Sequence, residues 1–326
     1  MSSVLVTGIT GFIGSNLAKA LVERGYDVYG LVRPCASRSL QPIAPVLDRV
    51  TLLTGDISNL QSVANAMKFA NPDFVCHLAA LTPVRYSFEH PYQYEQNNYL
   101  GTMNVAHALM ELPDHKRRKL IAASTAEVYG IHAVEKPFTE DLPLKPSSPY
   151  AVSKAAGDMY LQMAARVYGL NCLVLRPSNT YGRLCETDFI VEYLITRMLR
   201  EERVFVGAPD SIRDYIHVDD HIRGYLLSLE RDVPPSRVYN IGSGVGIKNR
   251  DLAAKIAQII GYDLSKGVFG SYPLGYPLRP IISDQPYLVL NANKAREELK
   301  WSPTVELDHG LERVISFWRK RVYSIA

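Results

Sequence analysis

Short apolar runs alternate with helix-period segments along the first half of the chain, and this alternation limits the possible folds more than any other feature. The runs lie at 4–6, 28–32, 50–53, 74–79, 120–124 and 172–176. Segments with helical spacing lie between them, at 14–24, 58–70, 94–112 and 149–168. Runs that are apolar throughout are typical of strands buried on both faces. The order therefore predicts an α/β fold, a doubly wound parallel sheet with right-handed crossovers.

The second half of the chain is less regular. It contains a predicted helix at about 188–201 and a stretch rich in Pro, Gly and Tyr at 262–290. We expect a smaller, loop-rich lobe interleaved with returns to the sheet, which suits a chain of 326 residues. The predicted division is one domain of residues 1–177 with returns at about 213–243, and a second domain of residues 178–212 and 244–326. Ligands of such folds bind at the carboxyl ends of the strands, in the crevice that the second domain covers.

Composition excludes several classes of protein. Hydrophobic residues make up 47% and charged residues 21%, which is typical of a packed globular chain and not of a disordered one or a coiled coil. The 36 basic and 33 acidic residues are too evenly mixed for a nucleic-acid site. We interpret the one dense basic run, at 115–119, as a solvated connection between a helix and a strand.

The cysteines are scattered without a C-x-x-C pair, which is typical of reduced, structural thiols. They are Cys35, Cys76, Cys172 and Cys185. No apolar run approaches ~18 residues, and the N-terminus lacks the pattern of a secretory leader. We therefore expect a cytoplasmic protein without a membrane span or a metal site.

Three glycines separate the first predicted strand from the first predicted helix, in "VLVTGITGFIGSNLAKAL". Gly8 permits a tight turn, Gly11 lets backbone approach a pyrophosphate, and Gly14 allows close packing of the helix, whose N-terminus attracts the anion. The alternative is an ordinary glycine-rich turn. Because the loop opens a βαβ unit, we favour a dinucleotide site.

Two residues bear on the choice of dinucleotide. Arg33 stands at the end of the second strand, where NAD-binding chains place a carboxylate. It either pairs with a ribose 2′-phosphate, which slightly favours NADP over NAD, or is an exposed residue that begins a loop. Asp56 follows the third strand, where it either accepts a hydrogen bond from the adenine amino group or is the N-cap of the next helix.

Tyr150 and Lys154 lie at i and i+4, hence on one face of a helix. An ammonium beside a phenol favours the phenolate, so Tyr150 is a candidate base near neutral pH. A surface contact is the alternative. The hydroxyl-bearing end of the predicted strand at 120–124, about 25 residues upstream, favours a catalytic site.

Motifs along nearly the whole chain resemble the extended short-chain dehydrogenases/reductases that act on nucleotide sugars, namely epimerases, 4,6-dehydratases, 4-reductases and decarboxylases. The matching segments include "TGITGFIGS", "HLAA", "STAEVYG", "SPYAVSK", "RPSNTYG" and "RDYIHVDD". The resemblance implies a Rossmann-type NAD(P)-binding domain and oxidation of the sugar at C4. It also implies a homodimer in which helices 94–112 and 149–168 form a four-helix bundle. Met110, Met159 and Met163 either face that bundle or fill the monomer core.

The same resemblance assigns roles to residues. Thr125 bonds the sugar 4-hydroxyl, Tyr150 removes its proton and Lys154 holds the nicotinamide ribose. Asn179 contacts the substrate, while Arg213 and Arg279 either clamp its diphosphate or make surface ion pairs. The matched motifs further imply a substrate contact from Arg85 and cofactor contacts from Gly8, Gly11, Phe12, Ile13, Gly14, Arg33, Asp56, Ile57, Leu78, Ala79, Ala80, Tyr150, Lys154 and Pro177.

Glu127 bears on the choice of reaction. If the strand continues past Thr125, Glu127 projects to the same side as Thr125. A 4,6-dehydratase needs a carboxylate there to remove the C5 proton, whereas an epimerase does not; the other interpretation is a solvated residue at the rim. "VRYSFEHP" and "LRPIISD" resemble segments of GDP-mannose 4,6-dehydratases. Ala126 occupies a position that is Asp in dTDP-glucose dehydratases and Ala in many epimerases.

We therefore favour a nucleoside-diphosphate-sugar 4,6-dehydratase of the GDP-mannose or dTDP-glucose type. A 4-epimerase of the UDP-glucose type and a 4-keto-sugar reductase are the alternatives. A nucleotide-sensing protein that has lost turnover belongs to a different class, and the intact Thr125, Tyr150 and Lys154 argue against it.

Overall fold

Seven parallel strands form the central sheet of the computed structural model, which describes residues 2–33, 40–133, 135–273, 275 and 280–323. The strand order is β10-β6-β5-β4-β1-β2-β3, so the predicted doubly wound parallel sheet is confirmed. The order reverses between β1 and β4, and such a switch point opens a crevice at the carboxyl ends of the strands. The strands are β1 (Ser3–Thr7), β2 (Asp27–Val32), β3 (Val50–Thr54), β4 (Phe74–His77), β5 (Lys119–Ala123), β6 (Cys172–Pro177) and β10 (Arg237–Ile241).

Helices cover both faces of this sheet. Two apolar clusters form, one centred on Leu17 and Leu226 and the other on Met67 and Leu109. The helices are α1 (Phe12–Glu23), α2 (Leu60–Ala70), α3 (Val84–Ser87), α4 (Pro91–Tyr94), α5 (Gly101–Met110), α6 (Pro149–Tyr168), α7 (Ile190–Leu199), α8 (Val218–Glu230), α9 (Asn249–Ile260) and α10 (Leu307–Tyr323). Within the described residues, none of these helices is long and apolar enough to span a bilayer.

The helix predicted at 94–112 is present as an uninterrupted helical run over 91–110, but it is not α-helical throughout. A π-helical turn, Glu95–Leu100, joins α4 to α5. Its buried Asn98 donates from Nδ2 to the Leu81 carbonyl at 3.0 Å and accepts at Oδ1 from the Leu81 amide at 2.8 Å. A side chain that closes a neighbouring loop in this way is typical of π-turns near functional sites.

Helix α6 begins and ends where the sequence predicts. Ser148 is the N-cap, and its hydroxyl accepts a hydrogen bond from the Ala151 amide at 3.1 Å. Pro149 occupies the first turn, and Gly169 ends the helix in the left-handed region. These caps place Tyr150 in the first turn of α6, at the carboxyl edge of the sheet.

The remaining strands form two smaller sheets. In the four-stranded sheet, β9 (Ile212–His217) pairs with β7 (Asn179–Tyr181), β11 (Gly246–Lys248) and β13 (Tyr287–Leu288); in the two-stranded sheet, β8 (Phe205–Val206) pairs with β12 (Val268–Phe269). Helices α7, α9 and α10 share an apolar cluster with residues of these strands. Of the segment expected to return to the main sheet at 213–243, only β10 is a strand of that sheet, while α8 packs on α1. The two-domain division stays a prediction.

The basic run at 115–119 is only partly a solvated connection. Lys119 begins β5 and is buried, and its ammonium donates to the carbonyls of Ser228 and Arg231 at 3.1 and 2.7 Å. These carbonyls belong to the C-terminal end of α8, which attracts cations. The interpretation of the whole run as solvated was therefore wrong for Lys119.

Candidate functional site

The loop between β1 and α1 is held by its glycines. Gly8 has a φ of +72°, and a Cβ there would lie 2.8 Å from the Ala79 amide nitrogen. A Cβ on Gly14 would lie only 2.1 Å from the Gly8 carbonyl oxygen. Gly11 precedes α1 without a side-chain cap, so the first amides of the helix are left for a ligand. The loop therefore fits the pyrophosphate of a dinucleotide.

A cleft extends from this loop along the carboxyl ends of β1, β2 and β4. Phe189 and Glu186 from the second half of the chain form its other side. Predicted cofactor residues that line the cleft are Gly8, Gly11, Phe12, Ile13, Gly14, Arg33, Ile57, Leu78, Ala79 and Ala80. The other predicted cofactor residues, Asp56, Tyr150, Lys154 and Pro177, are not part of this lining.

Asp56 is engaged in its own turn. Its Oδ1 accepts hydrogen bonds from the Ser58 amide at 2.9 Å and the Ser58 hydroxyl at 2.8 Å. The N-cap of α2 is Asn59, whose Oδ1 accepts from the Ser62 amide. The interpretation of Asp56 as that N-cap was therefore wrong, because the helix begins later than expected.

A chain of buried hydrogen bonds, which the sequence did not predict, lies beside the cleft. The Thr102 hydroxyl donates to the Asn98 carbonyl at 2.6 Å, so it accepts from His77 Nε2 at 3.0 Å. His77 Nδ1 then accepts from the Thr7 hydroxyl at 2.8 Å, and Thr7 accepts from the amides of Leu78 and Ala79. Burial, with the charge of Lys154, lowers the pKa of His77 to about 3. His77 is thus a neutral cross-link between the ends of β1 and β4.

The strand that precedes Thr125 does not continue as the sequence reasoning assumed. β5 ends at Ala123, and Thr125 caps a 3₁₀ turn, Ala126–Tyr129, by accepting from the Glu127 amide at 3.3 Å. The alternation of side-chain direction along a strand, with a period of two residues, therefore does not apply to Thr125 and Glu127. Ala126 is 2% exposed and packs in an apolar cluster with Val128 and Leu290.

The turn nevertheless brings Thr125, Glu127 and Tyr150 together. Burial raises the pKa of Tyr150 above its ordinary value; a hydrogen bond from Thr125 lowers it and the charge of Glu127 raises it. The Lys154 ammonium donates to the Ala123 carbonyl at 2.5 Å. That this ammonium favours the phenolate of Tyr150 stays a prediction.

Lys154 is itself perturbed by its surroundings. Burial lowers the pKa of its ammonium to about 8, although Asp158, one turn later on α6, acts to raise it. Asp158 is held by Arg176 in a buried ion pair, with Nε and Oδ2 2.8 Å apart. Lys154 thus lies in an apolar site where its charge is weakly stabilised.

The predicted substrate residues are placed as follows. Arg213 is 8% exposed and pairs with Asp284, with Nη2 and Oδ1 3.0 Å apart. Asn179 begins β7 and is half-buried. Arg85 Nη2 lies 3.8 Å from Asp188 Oδ2, and the Arg85 guanidinium lies over the ring of Tyr86. Arg279, like Cys35, lies outside the described residues.

Arg183 is a cleft residue that sequence reasoning did not single out. Its guanidinium lies between the rings of Phe12 and Phe189, at 4.5 and 3.5 Å from their centroids. It also lies 3.6 Å from a carboxylate oxygen of the buried Glu192. The only signal for this arrangement was its place in the segment "RPSNTYGRLCETD".

Comparison with known proteins decides the family. The family model described as GDP-mannose 4,6 dehydratase matches residues 5–314. The chain belongs to the extended short-chain dehydrogenases/reductases that act on nucleotide sugars. The resemblance inferred from the motifs is thereby confirmed.

Members of this family with two different activities match the chain over almost all of its length. A dTDP-glucose 4,6-dehydratase from Mycolicibacterium smegmatis is 31% identical to this chain. The alignment covers 97% of this chain and 93% of that enzyme. A UDP-glucose 4-epimerase from Thermotoga maritima, solved with UDP-glucose, is 30% identical to this chain and superimposes on it with a TM-score of 0.86. The match covers 98% of this chain and 99% of the epimerase chain.

A dTDP-glucose 4,6-dehydratase from Streptomyces venezuelae, solved with NAD bound, is 27% identical with the same TM-score of 0.86, covering 98% of this chain and 97% of its own. The chain is therefore an NAD(P)-dependent enzyme, either a nucleotide-sugar dehydratase (a lyase) or an epimerase (an isomerase).

Proposed function

We propose that the chain dehydrates a nucleoside-diphosphate hexose across C5 and C6. The observation that carries this proposal is that the Glu127 carboxylate lies close enough to the buried Tyr150 phenol for its charge to act on that phenol, which also has a hydrogen bond with Thr125. An epimerase does not use a carboxylate at this place. The loop of Gly8, Gly11 and Gly14 would hold the dinucleotide in the cleft, and its nicotinamide would supply the hydride acceptor for sugar C4 and the hydride donor for C6.

The first step of the reaction is assigned to Thr125 and Tyr150. The Thr125 hydroxyl bonds the sugar 4-hydroxyl, and the Tyr150 phenolate takes the proton of that hydroxyl as hydride leaves C4. Because burial opposes ionisation of Tyr150, the phenolate needs nearby positive charge. Lys154 supplies part of it and, with the cofactor bound, also holds the nicotinamide ribose.

The second step is assigned to Glu127. The C4 ketone acidifies the C5 proton, and Glu127 accepts that proton while the electron pair forms the C5–C6 double bond. Ala126 is apolar and buried, so it cannot protonate the leaving group. Glu127 therefore passes the proton to the departing 6-hydroxyl, which leaves as water. Hydride then adds to C6 and a solvent proton adds to C5.

Epimerisation at C4 is the second candidate. Ala126 favours it, because the buried position leaves no acid between Thr125 and Glu127, and many epimerases have Ala there. In that reaction the keto sugar turns and hydride returns to the other face of C4, so Glu127 takes no proton from C5.

Product mass separates the two reactions. We would incubate the enzyme separately with GDP-mannose, dTDP-glucose, UDP-glucose and UDP-N-acetylglucosamine. Loss of one water from any donor supports dehydration. An unchanged mass with altered stereochemistry at C4 supports epimerisation and contradicts our proposal.

Glu127→Gln tests the proposed base. We expect cofactor reduction to persist and water loss to fall by about 10³-fold, the middle of the range for a general base. Glu89→Gln, at an exposed carboxylate, is the control and keeps normal turnover. Water loss at the wild-type rate in Glu127→Gln removes Glu127 from this role.

We further propose that the enzyme forms a homodimer through the outer faces of the π-turn and α6. Val152 and Met159 on α6 are 44% and 60% exposed, and Leu100 beside them is 43% exposed. Clustered apolar exposure of this kind is typical of an interface. Met110 instead packs partly against the core.

Light scattering of Met159→Glu tests this interface. We expect a monomer, whereas Val245→Glu, at a 70% exposed apolar residue of the loop that follows β10, leaves the dimer intact. A monomeric wild-type protein contradicts the proposal.

A further inference from the structure

Gln285 reaches Glu127 from the opposite side of the site. It is fully buried, and its Nε2 donates to Glu127 Oε2 at 2.9 Å across 158 positions of sequence. The same nitrogen lies 3.4 Å from the Glu127 carbonyl oxygen. The candidate base is therefore held by a residue of the C-terminal part of the chain.

The orientation of this amide follows from its neighbours. Both atoms that face Nε2 are acceptors, so the amide NH₂ must point toward Glu127 and its oxygen away from it. Gln285 Oε1 is buried and accepts no hydrogen bond from the residues that the structure describes. The amide is therefore held through its donor side, by the hydrogen bond to Glu127.

Packing and polar contacts fix both partners. Ala126 and Val128, on either side of Glu127, are buried in one apolar cluster with Leu288 and Leu290, which follow Gln285. Residues 283–285 also contact three different parts of the site. The Ser283 carbonyl accepts from the Ser147 hydroxyl at 3.2 Å, and Asp284 pairs with Arg213.

We propose that Gln285 is a positioning residue for Glu127: it holds Oε2, so that Oε1, which has no hydrogen bond to the described residues, faces the sugar at C5. The assignment rests on the proposed dehydratase function. A catalytic group that is held on one oxygen by a buried amide keeps the geometry that proton transfer needs.

Gln285→Met tests the proposal, because methionine has a similar length but no donor. We expect kcat for water loss to fall about 100-fold, the cost of a small misplacement of a catalytic group. KM for the sugar nucleotide should stay within a factor of about three, because Gln285 is not assigned a ground-state contact. Reduced nicotinamide should accumulate, since oxidation at C4 proceeds while C5 deprotonation stalls.

Two further variants keep the test decisive. Gln285→Asn keeps an amide but shortens the side chain by one methylene. The rate of water loss should therefore fall in this variant too, while the packing changes less than in Gln285→Met. Gln162→Met removes another amide–carboxylate hydrogen bond, of 2.7 Å to Asp158, and should keep normal turnover because Arg176 still holds Asp158.

The double variant of Glu127→Gln with Gln285→Met separates positioning from general destabilisation. If Gln285 acts through Glu127, the rate of water loss in the double variant should equal the rate in Glu127→Gln alone. The inference is overturned if the rate reductions of the two single variants multiply in the double variant, or if Gln285→Met loses water at the normal rate. The dehydratase proposal stands in either case. A wild-type enzyme that releases no water from any donor overturns both.

Discussion

Two turns at the carboxyl edge of the main sheet differ in how they are built. The turn after β1, residues 8–14, depends on backbone: the Gly11 amide donates to the Gly8 carbonyl at 2.9 Å, and Gly14 packs on that same carbonyl. The turn after β5, residues 124–130, depends on side chains that meet Tyr150 and Gln285. The shape of the pyrophosphate loop is therefore encoded largely within the loop, whereas the proposed reaction depends on partners distant in sequence.

Gly14→Ala breaks the first turn and should have the largest effect on cofactor binding. A Cβ 2.1 Å from the Gly8 carbonyl forces the loop apart, so affinity for NAD(P) should fall by at least about 100-fold, equivalent to about 2.7 kcal/mol, and turnover with it. Equilibrium dialysis measures the binding. Gly224→Ala on α8 is the matched control, because its Cβ meets Ile241 at an ordinary 3.4 Å.

Tyr150→Phe breaks the second turn and leaves the first intact. Turnover should fall by about 10³-fold, because the base for the 4-hydroxyl is lost, while NAD(P) affinity should stay normal. Stopped-flow absorbance with nucleotide sugar measures cofactor reduction. Lost cofactor affinity in this variant would show that the two turns are not separable.

Lys154→Met sharpens the comparison through stability. In the folded cofactor-free enzyme burial lowers the pKa of Lys154 to about 8 from its ordinary value of 10.5, so the unfolded chain binds the proton more tightly. Below pH 8 the substitution should therefore stabilise the protein by up to about 3 kcal/mol, the equivalent of that shift. The gain should shrink between pH 8 and 10.5, and urea unfolding at several pH values measures it. A constant gain would place the cause in packing instead.

Arg33→Ala should have the smallest effect and tests how far the first region depends on a side chain. Arg33 is exposed at the rim of the cleft, so we expect a loss of about tenfold in NADP affinity, or 1.4 kcal/mol, with NAD affinity unchanged. Fluorescence titration with both cofactors measures the ratio. Equal losses for both cofactors would contradict pairing with a 2′-phosphate.

Much of the fold followed from the sequence because its signals are local. Most strands of the main sheet contain a short apolar run, and α6 carries its own caps, Ser148 and Gly169. The loop of Gly8, Gly11 and Gly14 likewise lies within one βαβ unit. The residues that specify such features lie within a few positions of the structure that they form.

The remainder depended on contacts between residues far apart in sequence. The pairing of β9 with β7, β11 and β13 joins four separate segments, and nothing in their short sequences specifies it. Gln285 is an unremarkable amide in a Pro-rich stretch until the fold brings it to Glu127. The 3₁₀ turn after Thr125 was missed for a different reason, since a strand was assumed to continue after its apolar residues had ended.

The guanidinium of Arg183, wedged between Phe12 and Phe189, bears on how fast the cofactor exchanges. A catalyst that regains its oxidised cofactor in every turnover gains nothing by releasing it. Because Phe12 belongs to the pyrophosphate loop and Phe189 to the other side of the cleft, this stack joins the two sides between which we expect the dinucleotide to bind. If the dinucleotide leaves between these two sides, its residence time depends on local opening of the segment at 183–189 as well as on affinity.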